Sequence, residues 1–88
     1  MRPRGFSYRS RMDIIASILA SAEREISKTK LMYSANLSFE PFQSYLAFLL
    51  ERELLEMKER QGQTLVKTTS KGTDFLRLYR TIEDMMNK

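Results

Sequence analysis

The stretch Ser27-Lys28-Thr29-Lys30-Leu31-Met32-Tyr33-Ser34-Ala35-Asn36-Leu37-Ser38-Phe39 constrains the fold of this chain more than any other. It reads as a short helix, a tight turn and the start of a second helix. A serine oxygen accepts one of the orphaned N–H groups at a helix start, so Ser27 is the expected cap of the first of these helices and Ser38 of the second. Between them, Ala35 lets the helices approach closely and Asn36 tolerates the left-handed backbone of a tight turn. With Leu31, Met32 and Ala35 facing inward, the segment has the outline of a helix-turn-helix.

The flanking sequence supplies the remaining elements. Residues 1–8 read as an extended arm, broken by Pro3 and Gly5. Ile14, Ile15, Ile18, Leu19 and Ala22 recur at helical spacing and predict a helix from about Ser10 to Ala22, capped by Ser10 with Asp13 in its first turn. Glu23, Arg24 and Glu25 form a polar connection, and Ile26 takes the place of a hydrophobic staple before Ser27. The two helices of the motif are expected over roughly 28–35 and 39–52. Pro41 is tolerated in a first turn, and Phe42, Tyr45, Leu46, Leu49 and Leu50 make the buried stripe.

The period then changes. Leu55-Glu56-Met57-Lys58-Glu59 alternates apolar with polar, as does Thr64-Leu65-Val66-Lys67-Thr68 more loosely, and Arg60-Gln61-Gly62-Gln63 lies between them. That pattern predicts a β-hairpin. A last helix is expected from about Ser70 to Asn87, capped by Thr69 or Ser70. Phe75, Leu78, Tyr79, Ile82, Met85 and Met86 form its apolar stripe.

Composition narrows the function. The 88 residues contain neither cysteine nor histidine, which removes disulfides, the usual general base and the commonest metal ligands. The three glycines form no phosphate-binding loop. The expectation is a non-enzyme with no cofactor, metal or small-molecule ligand. No apolar run spans a membrane and no signal peptide is evident, so a cytoplasmic location is expected. The net charge of +4 is unevenly placed: Arg2, Arg4, Arg9 and Arg11 precede Met12, and the other 11 basic residues are matched by 11 acidic ones. A basic arm of this kind either meets phosphate or a minor groove, or is a solvated tail.

A helix-turn-helix followed directly by a hairpin is the plan of a winged helix, with the wing tip at about Glu59 to Gln63. The chain resembles small archaeal winged-helix transcription regulators. The resemblance rests on Arg11-Met12-Asp13-Ile14-Ile15-Ala16-Ser17-Ile18-Leu19, on Lys28 to Ser38, on Tyr45-Leu46-Ala47-Phe48-Leu49-Leu50 with Leu54-Leu55, and on Thr68-Thr69-Ser70-Lys71-Gly72 before Phe75-Leu76. It spans about residues 9–88. It implies a mainly α (α+β) fold: a three-helix core, a two-stranded wing and a long C-terminal helix that pairs antiparallel with a partner's copy. The domains expected are therefore the arm 1–8, a winged-helix domain 9–69 and a dimerisation helix 70–88.

The function implied is that of a homodimeric regulator binding double-stranded DNA and associated with the nucleoid. The third helix would read bases in the major groove through Phe39, Glu40, Gln43 and Ser44. Arg2, Arg4, Arg9, Arg11, Lys28, Lys30, Tyr33, Ser38, Lys58, Arg60 and Lys67 would hold the backbone. For Tyr33 the spacing itself favours half-buried packing over the phosphate contact. Phe75, Leu78, Tyr79, Ile82, Met85 and Met86 would form the dimer contact, with Arg77, Arg80, Glu83 and Asp84 setting the pairing by charge. Phe48, off the main stripe, is expected against the last helix. One departure from the family stands out. The exposed face of the third helix has no lysine or arginine before Arg52, and Glu40 would repel phosphate, although glutamate accepts from cytosine N4. Two rivals follow: an architectural, chromatin-type DNA binder, and a winged helix that binds protein.

Overall fold

The computed structural model describes residues 10–87. The expected positions Arg2, Arg4 and Arg9, and the arm 1–8, lie outside that range. Four helices and three strands follow in the order α1 (Arg11–Ser21), β1 (Ile26–Ser27), α2 (Lys28–Ser34), α3 (Phe39–Glu51), β2 (Leu55–Arg60), β3 (Gln63–Thr68) and α4 (Ser70–Met86).

The helix starts obey one rule. Ser10, Ser27 and Thr69 each accept from the backbone N–H three residues on, at Asp13, Lys30 and Gly72. Ser38 has the same extended backbone but makes no side-chain cap, contrary to expectation. The residue three positions on is Pro41, which has no N–H to give. The Ser38 hydroxyl is left uncommitted to the helix.

The helix ends follow a second rule. After α2, Asn36 adopts φ +58°, its N–H donates to the Tyr33 carbonyl and that of Leu37 to Met32. After α3, Glu53 adopts φ +61°, with its N–H on Leu50 and that of Leu54 on Leu49. Both are Schellman closures, with a left-handed residue just past the helix. The first is the turn of the helix-turn-helix.

The hairpin closes through Gln61 and Gly62, both at positive φ (+53° and +77°), between the paired residues Arg60 and Gln63. That is the type I′ geometry whose twist matches the strands. The expected two-stranded wing proves to be part of a three-stranded antiparallel sheet in the order β1-β3-β2. Ile26, expected only as a helix staple, is also a strand residue. It pairs with Val66, and Ser27 pairs with Leu65. The added strand ties the base of the wing to the connection between α1 and α2.

Ile18, Leu19, Leu31, Phe42, Leu49, Val66 and Leu76 are fully buried and centre the core. Each such side chain contributes about 1.5–3 kcal/mol of burial. Leu76, which the expected α4 stripe left out, is the hydrophobic side chain of α4 buried in this core. The segment 68–72 stitches wing, α4 and core together. Thr68 donates its N–H to the Ala22 carbonyl and its hydroxyl to that of Leu19. The Thr69 hydroxyl donates to Glu53 O, and the Lys71 ammonium to Arg52 O.

Candidate nucleic-acid interface

The helix-turn-helix presents the start of α3 on the surface. Phe39 is 61% exposed, and Glu40 and Ser44 are exposed beside it. Gln43 differs from the other three expected readers. It is half-buried, and its Oε1 is buried without a hydrogen-bond partner among the described residues. Bidentate recognition of adenine needs both amide atoms, so Gln43 reads a base only after its side chain turns outward.

Lys28, Lys30 and Tyr33 are on α2, and Ser38 stands at the start of α3. Lys28 and Lys30 stand in the first turn of α2, and neither is in an ion pair among the described residues. Tyr33 is 71% exposed, contrary to the half-buried packing that its spacing favoured. Arg11, the arginine of the N-terminal cluster within the described residues, borders a mostly apolar groove with Ile15, Pro41, Ser44, Tyr45 and Phe48. Phe48 therefore sits beside α1 and not, as expected, against α4; the Arg52 guanidinium stacks 4.2 Å from its ring centre.

On the wing, strand alternation puts Glu56, Lys58 and Arg60 on one face, paired in register with Lys67, Leu65 and Gln63 of β3. These cations are engaged within the molecule. The Glu25 carboxylate meets Lys58 at 3.0 Å and Arg60 at 3.4 Å, and the Lys67 ammonium donates to the Glu23 carbonyl at 2.9 Å. The hydrogen bond from Lys58, with the charges of Arg60 and Lys67 behind it, holds the Glu25 carboxyl below the usual carboxylate range. Sequence reasoning placed Glu25 in a polar connection. Its role as the wing's carboxylate depends on β1, which two residues are too few to announce.

The apolar stripe of α4 divides. Phe75 and Tyr79 are half-buried against their own domain, and the Tyr79 hydroxyl donates to the Asp13 carboxylate of α1. That bond, reinforced by burial and by the charges of Asp13 and Glu83, pushes the Tyr79 hydroxyl well above the ordinary tyrosine value. Leu78, Ile82, Met85 and Met86 are 58–78% exposed. Among the described residues, no group of side chains could hold a metal ion and no helix is long and apolar enough to cross a membrane.

Residues 8–87 match a family model described as winged helix-turn-helix. An uncharacterized protein of Methanocaldococcus jannaschii is 40% identical over 65 residues, which are 73% of this chain. The match covers 29% of that relative's length. Among solved structures, Sso10a-2, a DNA-binding protein from Sulfolobus solfataricus, superposes with a TM-score of 0.81 at 23% identity, over 90% of this chain and 83% of that one. ZitR of Lactococcus lactis, in its apo form, gives a TM-score of 0.67 at 18% identity, over 83% of this chain and 58% of that one.

Proposed function

The chain belongs to the winged helix-turn-helix family, and from that premise we propose that it is a homodimeric double-stranded DNA-binding protein that acts as a transcription regulator. One observation carries this reading: the first turns of α3 have an exposed face, and the adjoining helix and turn carry Lys28 and Lys30, unpaired among the described residues, the solvent-facing Tyr33 and the uncommitted Ser38 hydroxyl. An exposed helix start flanked by cations and hydroxyls suits a groove between phosphates. The description of Sso10a-2 as a DNA-binding protein supports the same direction.

In this reading Phe39, Glu40, Gln43 and Ser44 face base edges. Lys28, Lys30, Tyr33, Ser38 and the wing cations Lys58, Arg60 and Lys67 hold the backbone, with Arg2, Arg4, Arg9 and Arg11 extending the contact. Homodimerisation through α4 is supported by Leu78, Ile82, Met85 and Met86, an apolar set that its own domain leaves exposed. An architectural role with little sequence preference is the second reading. The inward-turned Gln43 and the lack of a cation on α3 favour it.

Two substitutions separate these readings. Gln43→Ala should weaken a preferred duplex by about 1–3 kcal/mol and leave random duplex nearly unaffected. Lys30→Ala should weaken both alike and lower the salt slope by about one unit. Equal effects of Gln43→Ala on both duplexes would move the assignment to the architectural role. No effect of either substitution would leave protein binding as the function of this face.

A further inference from the structure

We propose that Glu25 is an internal counter-ion of the wing: it occupies Lys58 and Arg60 in the free protein, and a duplex phosphate takes its place when DNA binds. The inference rests on the DNA-binding reading above. The geometry is that of a shared anion. Lys58 and Arg60 are two residues apart on one strand and point to the same face, and each takes a different oxygen of one carboxylate. Glu25 cannot follow them outward, because it immediately precedes β1, whose residues Ile26 and Ser27 are pinned to Val66 and Leu65. The Glu25 side chain is 27% exposed, against 55% for each cation. The Glu25 side chain is thus the less open of the three, and the cations keep more than half of their own surface open to a second anion.

Ion pairs at this level of exposure contribute little to stability and exchange readily. A phosphate is therefore an adequate competitor, and its oxygens match the donors of lysine and arginine at least as well as a carboxylate does. With Glu25 in place, the three side chains carry a net charge of +1 instead of +2. The carboxylate thus lowers the wing's hold on any duplex. It does so without regard to sequence, since phosphate contacts carry no base information.

The test is a salt titration of random duplex with the full chain and with Glu25→Gln, which keeps the size and polarity of the side chain and removes its charge. The variant should bind up to roughly tenfold more tightly at 50 mM salt and show a salt slope steeper by up to about 0.9, because the net charge these side chains bring to the duplex rises from +1 to +2. In a Lys58→Gln/Arg60→Gln background, Glu25→Gln should change neither. A residue that merely braced the wing would weaken binding when replaced. If the unmodified chain binds duplex and Glu25→Gln leaves the slope unchanged or makes it shallower, the counter-ion role is overturned and the DNA-binding reading stands. If the unmodified chain binds no duplex at all, both are overturned.

Discussion

Gly72→Ala tests whether the segment between wing and α4 is as tightly fitted as the packing indicates. Gly72 is buried in the first turn of α4, and a Cβ there would lie 2.4 Å from Leu54 O and 2.5 Å from Thr68 Cγ2. Neither neighbour is free to yield. Leu54 O accepts the Thr69 N–H at 3.1 Å, and the Thr68 hydroxyl is held by Leu19 O at 2.7 Å in a buried site. Overpacking of a fixed site costs about 1–3 kcal/mol, and loss of the Thr69 bond adds about 1 kcal/mol. Against this, alanine gains up to about 1 kcal/mol of helix propensity. The net expectation is a destabilisation of about 1–3 kcal/mol, or a fall in Tm of roughly 4–24 °C for a domain of this size. Thermal and urea unfolding followed by circular dichroism, at one fixed protein concentration, measure it. An alanine variant as stable as the parent would refute the reasoning, because helix propensity would then outweigh the contacts.

Three further outcomes are expected. Replacing Ile82 and Met86 by glutamate should give monomers in sedimentation, whereas a parent chain already monomeric at about 100 μM would rule out α4 as a dimer contact. Glu53→Gly should raise the Tm by a few degrees, since glutamate at φ +61° carries about 1 kcal/mol of left-handed strain that glycine avoids; an unchanged or lower Tm would contradict this. Tyr79 has its pKa raised by folding, so its bond to Asp13 stabilises fully below the unfolded value of about 10, and that stability is lost as pH climbs beyond it. Tyr79→Phe should therefore be less stable than the parent near neutrality, with the gap narrowing in melts taken above about pH 10.

The local elements were legible because their signals are local. The Ser10 and Ser27 caps, the αL residue Asn36 and the Gln61-Gly62 turn each follow from a residue type at a fixed offset. Residues 8–87 match the family that the resemblance pointed to. What the sequence hid depends on partners far along the chain. Ile26 is a strand residue only because Val66 lies beside it, and Glu25 meets Lys58 and Arg60 only through that register. On α4, residues 75, 76, 78 and 79 are all apolar, so periodicity alone does not choose the inward face. The close approach permitted by Gly72 turns Leu76 into the core and leaves Leu78 out. Ser38 is a different case. Pro41 stood in plain view three residues on, and the missing N–H could have been read directly.

The central claim is that the surface built by α2, α3 and the wing holds duplex DNA. A salt titration of the unmodified chain, against random duplex and against a pool of genomic fragments, addresses it most directly. Binding to random duplex should fall linearly on a log–log scale as salt rises. Selected fragments should bind at least about a thousandfold more tightly than random duplex if the protein is a regulator. Parallel lines with little separation would assign the architectural role, and no binding to either duplex at 50 mM salt would contradict the claim itself.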